Sequence, residues 1–400
     1  MSGVAVRDRA TVLEQTRVLK MASSTHAYVR GNTVKFYEWL AQSPAAKTLP
    51  AGPAIWICGD CHLGNLGPLA DTDGKVAVQI RDLDQTVIGN PAHDLIRLGL
   101  SLATAARGSD LPGVTTARMI EEMIEGYDLA LRDPDGDRPT PEPGAVRTVR
   151  RRALGRRWRH LASERLSDVE PKIPLGKKFF ALSPAEKDGL SALFEEDAVR
   201  DMILALSHRD CDSRVRLADA AYWMKGCSSL GNLRFAAIVA IGGSKKEPDS
   251  VALIDLKEAV RAVAPARKGA VMPADPAERV IAGARALSPN LGERMLAARL
   301  LDTPIVMREL MPQDLKLEID QFSRREATTA ARYLAYVVGR AHARQMTDAE
   351  RREWRKVLLD HRGAGIDAPS WLWRSVVDLT ANHEAGYLEH CRRYALAQAA

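Results

Sequence analysis

The chain has 400 residues, 46% of them hydrophobic and 27% charged, with a formal net charge of +6. That apolar content excludes a disordered chain, and stretches such as Leu98–Ala106 fall short of the ~20 residues a bilayer helix needs. A charged N-terminus without an apolar segment predicts a cytoplasmic protein, and five cysteines (Cys58, Cys61, Cys211, Cys227, Cys391) argue against a disulfide framework.

Residues 10–45 carry apolar positions at helical spacing, among them Leu13, Val18, Phe36 and Trp39. Ala54–Cys58 and Lys75–Ile80 read as two short buried strands joined by a glycine-rich segment. Pro91–Arg107 and Thr115–Leu131 are amphipathic helices. The proline-rich stretch Arg132–Gly144 is a loop, and an arginine-rich helix follows it. Ser183, with Glu186 three residues on, predicts a capped helix starting at Pro184. LADAAYWMKG, GNLRFAAIVAIGG and SVALIDLK predict three strands. Pro276–Leu287 is a helix, Met295–Leu301 and Ile305–Leu310 form a strand pair, and the chain is helical again from Arg325.

Ile57–Gly67, ICGDCHLGNLG, places a carboxylate (Asp60), an imidazole (His62) and an amide (Asn65) on one tight loop after a strand. The strand VAVQI then ends in Arg81-Asp82-Leu83-Asp84. Oxygen ligands from a loop and a strand end suit a hard cation such as Mg²⁺, which keeps its other positions for phosphates and water. Each Asp or Asn alone is an ordinary turn former; the set together points to a Mg²⁺-phosphate site.

GDCHLGN resembles the catalytic loop of aminoglycoside phosphotransferases and other protein-kinase-like enzymes, with Cys58 standing where small-molecule kinases usually have His. IRDLDQTVIGNPAHDL is similar to the segment that follows there, with Asp82 in the metal-binding place and Asp94 on the next helix. In the second half, Lys225–Asn232 is a glycine-containing turn between two strands, and a third strand carries Lys257. This resembles the small lobe of a kinase fold. Since the glycine turn follows the catalytic loop, the resemblance implies an α+β, bilobal, kinase-like fold in circularly permuted order. Residues 1–214 would form a mainly helical large lobe, 215–312 a strand-rich small lobe, and 313–400 helices returning to the large lobe. The helix ending VVGRAHARQ would take the place of the one that leads into the catalytic loop. YVRG, GDxHxxNxG, DxD, the Ser-Leu-Gly turn, LKEA and GRAHAR, in this order, resemble the bacterial domain-of-unknown-function family 2252.

The resemblance implies a phosphotransferase using ATP and Mg²⁺ on a small hydroxylated acceptor, or on a protein. Asp60 would receive or orient the acceptor hydroxyl. Asn65 and Asp82 would bind the metal, with Asp84 a candidate second ligand. Gly226, Ser228, Ser229 and Gly231 would cradle the nucleotide phosphates, and Lys257 would pair them, with Glu278 or Glu258 as its own partner or with Glu278 simply solvated. His62 is a candidate for direct catalysis or for fixing the loop by hydrogen bonding, Asp94 for accepting loop N–H groups, and Arg30 for reaching a phosphate or carboxylate.

Other readings are a kinase-like nucleotide-binding scaffold, an AMP-transferring enzyme, and, more remotely, a haem or redox protein, because CGDCH is also C-x-x-C-H. Cys58, Cys61 and His62 alone supply too few ligands for zinc. The arginine-rich stretch 147–165 lacks aromatic interleaving, which argues against nucleic acid as partner.

Overall fold

A computed structural model describes residues 6–134, 141–166, 172–206, 208–226, 230–243, 250–317, 323–360, 362–363 and 365–396. The chain opens with helices α1 (Arg9–Ala22), α2 (Thr25–Gly31) and α3 (Thr33–Gln42). Four short strands follow: β1 (Ile55–Ile57), β2 (Leu66–Ala70), β3 (Val76–Ile80) and β4 (Val87–Gly89). Next come α4 (Pro91–Gly108), α5 (Gly113–Arg132), α6 (Gly144–Leu154) and α7 (Trp158–Arg165). Strand β5 (Phe179–Phe180) and helices α8 (Pro184–Leu193) and α9 (Asp197–Leu204) precede β6 (Val215–Trp223), β7 (Arg234–Ile241) and β8 (Ser250–Glu258). Helices α10 (Pro276–Leu287) and α11 (Pro289–Gly292) separate β8 from β9 (Met295–Leu300) and β10 (Thr303–Glu309). The chain continues through α12 (Arg324–Ala343), α13 (Asp348–Asp360), β11 (Arg362–Gly363), β12 (Ile366–Pro369) and α14 (Ser370–His390). The architecture is mixed α+β.

Strands β5 to β10 form one antiparallel sheet in the order β5-β6-β7-β8-β10-β9. Strand β7 is buried along its whole length, and its side chains alternate as period two requires. Phe235, Ala237, Val239 and Ile241 face Leu190, Leu193, Val199 and Ile203 of α8 and α9, while Ala236 and Ile238 face Leu161 and Ala162 of α7. A larger apolar core joins α3, α4, α5, α12 and α14 to β1 and α10.

The two strands expected around the glycine-rich segment do not pair with each other. Strand β1 pairs with β4, and β3 with β2, whose Gly67 and Pro68 read as loop in sequence. Gly67 is required there: a Cβ would stand 2.3 Å from the carbonyl oxygen of Leu315. The arginine-rich helix is broken, α6 ending at Leu154 and α7 starting at Trp158. Ser183 caps α8 in a reciprocal box with Glu186, as its spacing predicts. No described helix is long and apolar enough to cross a membrane.

Candidate functional site

The loop after β1 is held by one stripe of α4. Asn90 caps that helix and Pro91 opens it, which places Asp94 in the first turn beneath the loop. The Asp94 carboxylate accepts hydrogen bonds from the backbone N–H of Cys58 (2.7 Å) and Gly59 (2.9 Å). Three residues on, Arg97 donates from Nε to Asp60 Oδ1 at 2.8 Å and from its terminal nitrogen to the Val29 carbonyl at 2.6 Å. One further turn on, Ser101 Oγ accepts the N–H of Leu63 at 3.1 Å. Positions i, i+3 and i+7 share a helix face, so three polar side chains of one α4 stripe hold the loop at Cys58–Asp60 and Leu63. Behind Asp94, His342 of α12 lies 3.1 Å from its carboxylate and 2.8 Å from the hydroxyl of Tyr127, all three buried. Gly59 has φ +74°, and a Cβ there would fall 2.2 Å from the Gln85 carbonyl oxygen. Only glycine lets the loop lie this close to the segment after Asp84.

The β2–β3 hairpin brings the amide and the acids together. Leu66 pairs with Ile80, so Asn65 lies beside Arg81 and Asp82, and its Nδ2 donates to the Asp82 carbonyl at 2.7 Å. Across the cleft, the register of β7, β8 and β10 puts Arg234 and Val306 opposite Lys257, and Arg308 opposite Asp255. Asp255 and Lys257, two residues apart, therefore share the face of the sheet that meets the loop. Lys257 Nζ lies 3.4 Å from both carboxylate oxygens of Asp82 and also pairs with Asp84. The acids after β3 and the ammonium on β8, 175 residues apart, thus meet at one point.

Charge determines how these groups titrate. Burial would raise Asp82, but Lys257 and Arg308 hold it below the ordinary carboxylate range. Its carboxylate is also 56% exposed to the cleft, which weakens the burial effect further. Asp84 goes the other way: burial, then the charge of Asp82, push it up to about 6. Burial would lower Lys257, but the two aspartates override it and raise it.

Other predicted residues fall as follows. Gly226 and Gly231 lie on the β6–β7 connection with φ of +96° and +108°, and Gly226 lines the cleft. Ser228 and Ser229 lie outside the described residues. Glu278 does not pair Lys257. It sits exposed on the first turn of α10, one position off the apolar stripe of Ala277, Val280, Ile281 and Ala284 that packs inward. Glu258 is also elsewhere, accepting the N–H of Leu233 at 2.7 Å. His62 is 93% buried by area, its residue exposure being 7%. Among the described residues its ring makes no hydrogen bond, so it does not fix the loop in that way. Burial, then Arg30 and Arg97, hold it well below the usual imidazole value, and it is neutral.

A cleft of about 500 Å³ runs between these walls and is lined by Asp60, His62, Asn65, Asp82, Asp84 and Gly226. Sequence reasoning missed Arg97 and the buried cluster on the sheet, where Asp255 takes two hydrogen bonds from Arg234 (2.9 and 2.6 Å) and neighbours Lys225 and Arg308. The alternation Leu253-Asp255-Lys257 was the available signal for the second of these.

The thiols of Cys58 and Cys61 are buried. Burial pushes Cys58 well up; Cys61, hydrogen-bonded to Cys58, is raised by burial as well. Protonated, inaccessible thiols are poor redox nucleophiles. The arginine-rich stretch finds local acids, Arg150 on Glu142 (2.9 Å) and Arg156 on Glu164 (2.6 Å).

Comparison with curated proteins and with solved structures finds no match. The profile of the family described as uncharacterized protein conserved in bacteria (DUF2252) matches residues 9–393, almost the whole chain, and the protein belongs to that family.

Proposed function

We propose that the protein is a kinase-like phosphotransferase that uses Mg²⁺-ATP on a hydroxylated acceptor. The observation that carries this reading is the meeting of Lys257 with Asp82 and Asp84 beside the Asp60–Asn65 loop. Sheet order adds support: β6-β7-β8-β10-β9, with a helix between β8 and β9 and glycines in the first hairpin, is the small-lobe layout of kinases. So does the end of α12, where Gln345 hydrogen-bonds both the N–H and the carbonyl of Trp56 in β1. A helix arriving there is the counterpart, late in the chain, of the one that leads into a kinase catalytic loop, in keeping with circular permutation.

The donor set fits the metal. Burial, and then the neighbouring charge of Asp82, raise Asp84 to about 6, and a hard divalent cation would relieve the crowding of the two carboxylates. Asn65, with its Nδ2 engaged by the Asp82 carbonyl, keeps Oδ1 as a third oxygen donor. When bound, Mg²⁺ supplies charge neutralisation at the phosphates. Lys257 pairs with the phosphates, and Gly226, which lines the cleft, lets backbone approach them closely. Asp60, held by Arg97, would accept the proton of the acceptor hydroxyl as its oxygen bonds to the γ-phosphorus and the bond to the β–γ bridging oxygen breaks, releasing ADP.

The test follows γ-labelled ATP with a mixture of small hydroxylated metabolites. Asp60→Asn is expected to bind Mg²⁺-ATP like the wild type while turnover falls by roughly 10²–10⁴-fold. Transfer adds about 80 Da to the product, the mass of one phosphoryl group. Equal loss of binding and turnover would remove Asp60 from catalysis, and a product carrying AMP would replace the phosphoryl reading.

A further inference from the structure

We propose that the acceptor is anionic, and that Arg30 and His62 hold its carboxylate or phosphate group beside Asp60; this rests on the phosphotransferase reading. Arg30 closes α2 and packs over the loop. A Cβ built on Gly64 would stand 3.1 Å from Arg30 Cζ and 3.4 Å from His62 Cε1, so guanidinium and imidazole flank one point of the loop. Both residues line the same cleft as Asp60.

Arg30 is surplus charge at this end of the cleft. Asp60 already has Arg97, Asp82 and Asp84 face Lys257, Asp314 pairs with Arg294, and Arg17 has Glu14 at 3.1 Å. Among the described residues no carboxylate pairs with Arg30. An unmatched guanidinium beside a proposed general base serves to bind a negative group, since a planar fork matches carboxylate and phosphate alike. His62 strengthens the assignment. Its Nδ1 is buried without a partner, and such an atom is costly unless something hydrogen-bonds it. As a neutral imidazole it can donate or accept while leaving Arg30 as the counter-charge. Position separates this pair from the nucleotide groups. His62 sits on the Asp60 loop and Arg30 on α2 packed against it, whereas Lys257 and Arg234 lie on the facing sheet. The substrate class is thus a hydroxylated acid, such as a hydroxycarboxylate or a sugar phosphate.

Calorimetry with saturating Mg²⁺-ADP, which fills the nucleotide site, tests this with two ligand pairs: glucose 6-phosphate against glucose, and glycerate against glycerol. The charged member of at least one pair is expected to bind roughly tenfold to a hundredfold tighter than its neutral partner. The pair that responds identifies phosphate or carboxylate. Arg30→Gln should abolish the preference without changing Mg²⁺-ADP affinity, and Arg30→Lys should keep part of it. Equal binding within both pairs, no binding by either pair, or a preference that survives Arg30→Gln overturns the proposal. Mg²⁺-ADP binding is measured first and by itself. Its failure overturns the phosphotransferase reading, and this proposal with it.

Discussion

Asp84→Asn should make the protein more stable at neutral pH, because the wild-type carboxylate is held in an unfavourable place. Asp84 rises from 3.8 to about 6 on folding. Two units correspond to about 3 kcal/mol by which the fold disfavours the ionised form. A raised carboxyl binds its proton more tightly in the folded than in the unfolded state. Its contribution is therefore present below about pH 4 and lost as pH rises through about 6. Replacement by the near-isosteric amide removes that loss; the contact with Lys257 is already contained in the value of about 6, where it works against burial and Asp82. The expected net gain is about 3 kcal/mol above pH 7, shrinking toward zero near pH 4. Urea unfolding at a series of pH values between 4 and 8, in the presence of a chelator, measures it directly. An Asp84→Asn protein less stable than wild type at pH 8, or a difference independent of pH, would refute the reasoning. Sites that crowd like charges to hold a cation commonly trade stability for function in this way.

Asp94→Ala would strand the N–H groups of Cys58 and Gly59 and Nε2 of His342 in the interior. A loss of about 3–5 kcal/mol is expected in urea unfolding; a loss below about 1 kcal/mol would show that the network is not holding the loop. Glu278→Ala, on an exposed turn, should change stability by less than about 0.5 kcal/mol and leave nucleotide affinity unaltered in calorimetry. A marked loss of affinity would mean that α10 turns inward when ligand binds.

The legible parts of the site are those in which chemistry and spacing coincide locally. Asp60, His62 and Asn65 share one loop, and Asp82 ends the strand that pairs beside it, so a short stretch contained half of the cleft. Lys257 was assigned from the order of strands and turns, and it reaches those acids. Glu278 was open between pairing Lys257 and standing solvated, and the periodicity of α10 favours the second, since Ala277, Val280 and Ile281 define the buried stripe and Glu278 lies off it. Arg97 was not legible: within LIRLGLSL an arginine reads as a solvated face, and only tertiary packing turns it toward Asp60. Strand β2 was hidden by Gly67 and Pro68, which signal a loop locally but are accommodated where the Leu315 carbonyl approaches.

The most direct measurement is the affinity of ATP for the wild type and for Lys257→Met, each with and without Mg²⁺, by titration calorimetry. Tight binding that needs Mg²⁺ and falls by at least roughly tenfold in Lys257→Met is predicted, as expected for the loss of a charged hydrogen bond to phosphate. ATP that binds equally well without the metal or without the lysine, or that does not bind at all, would contradict the account.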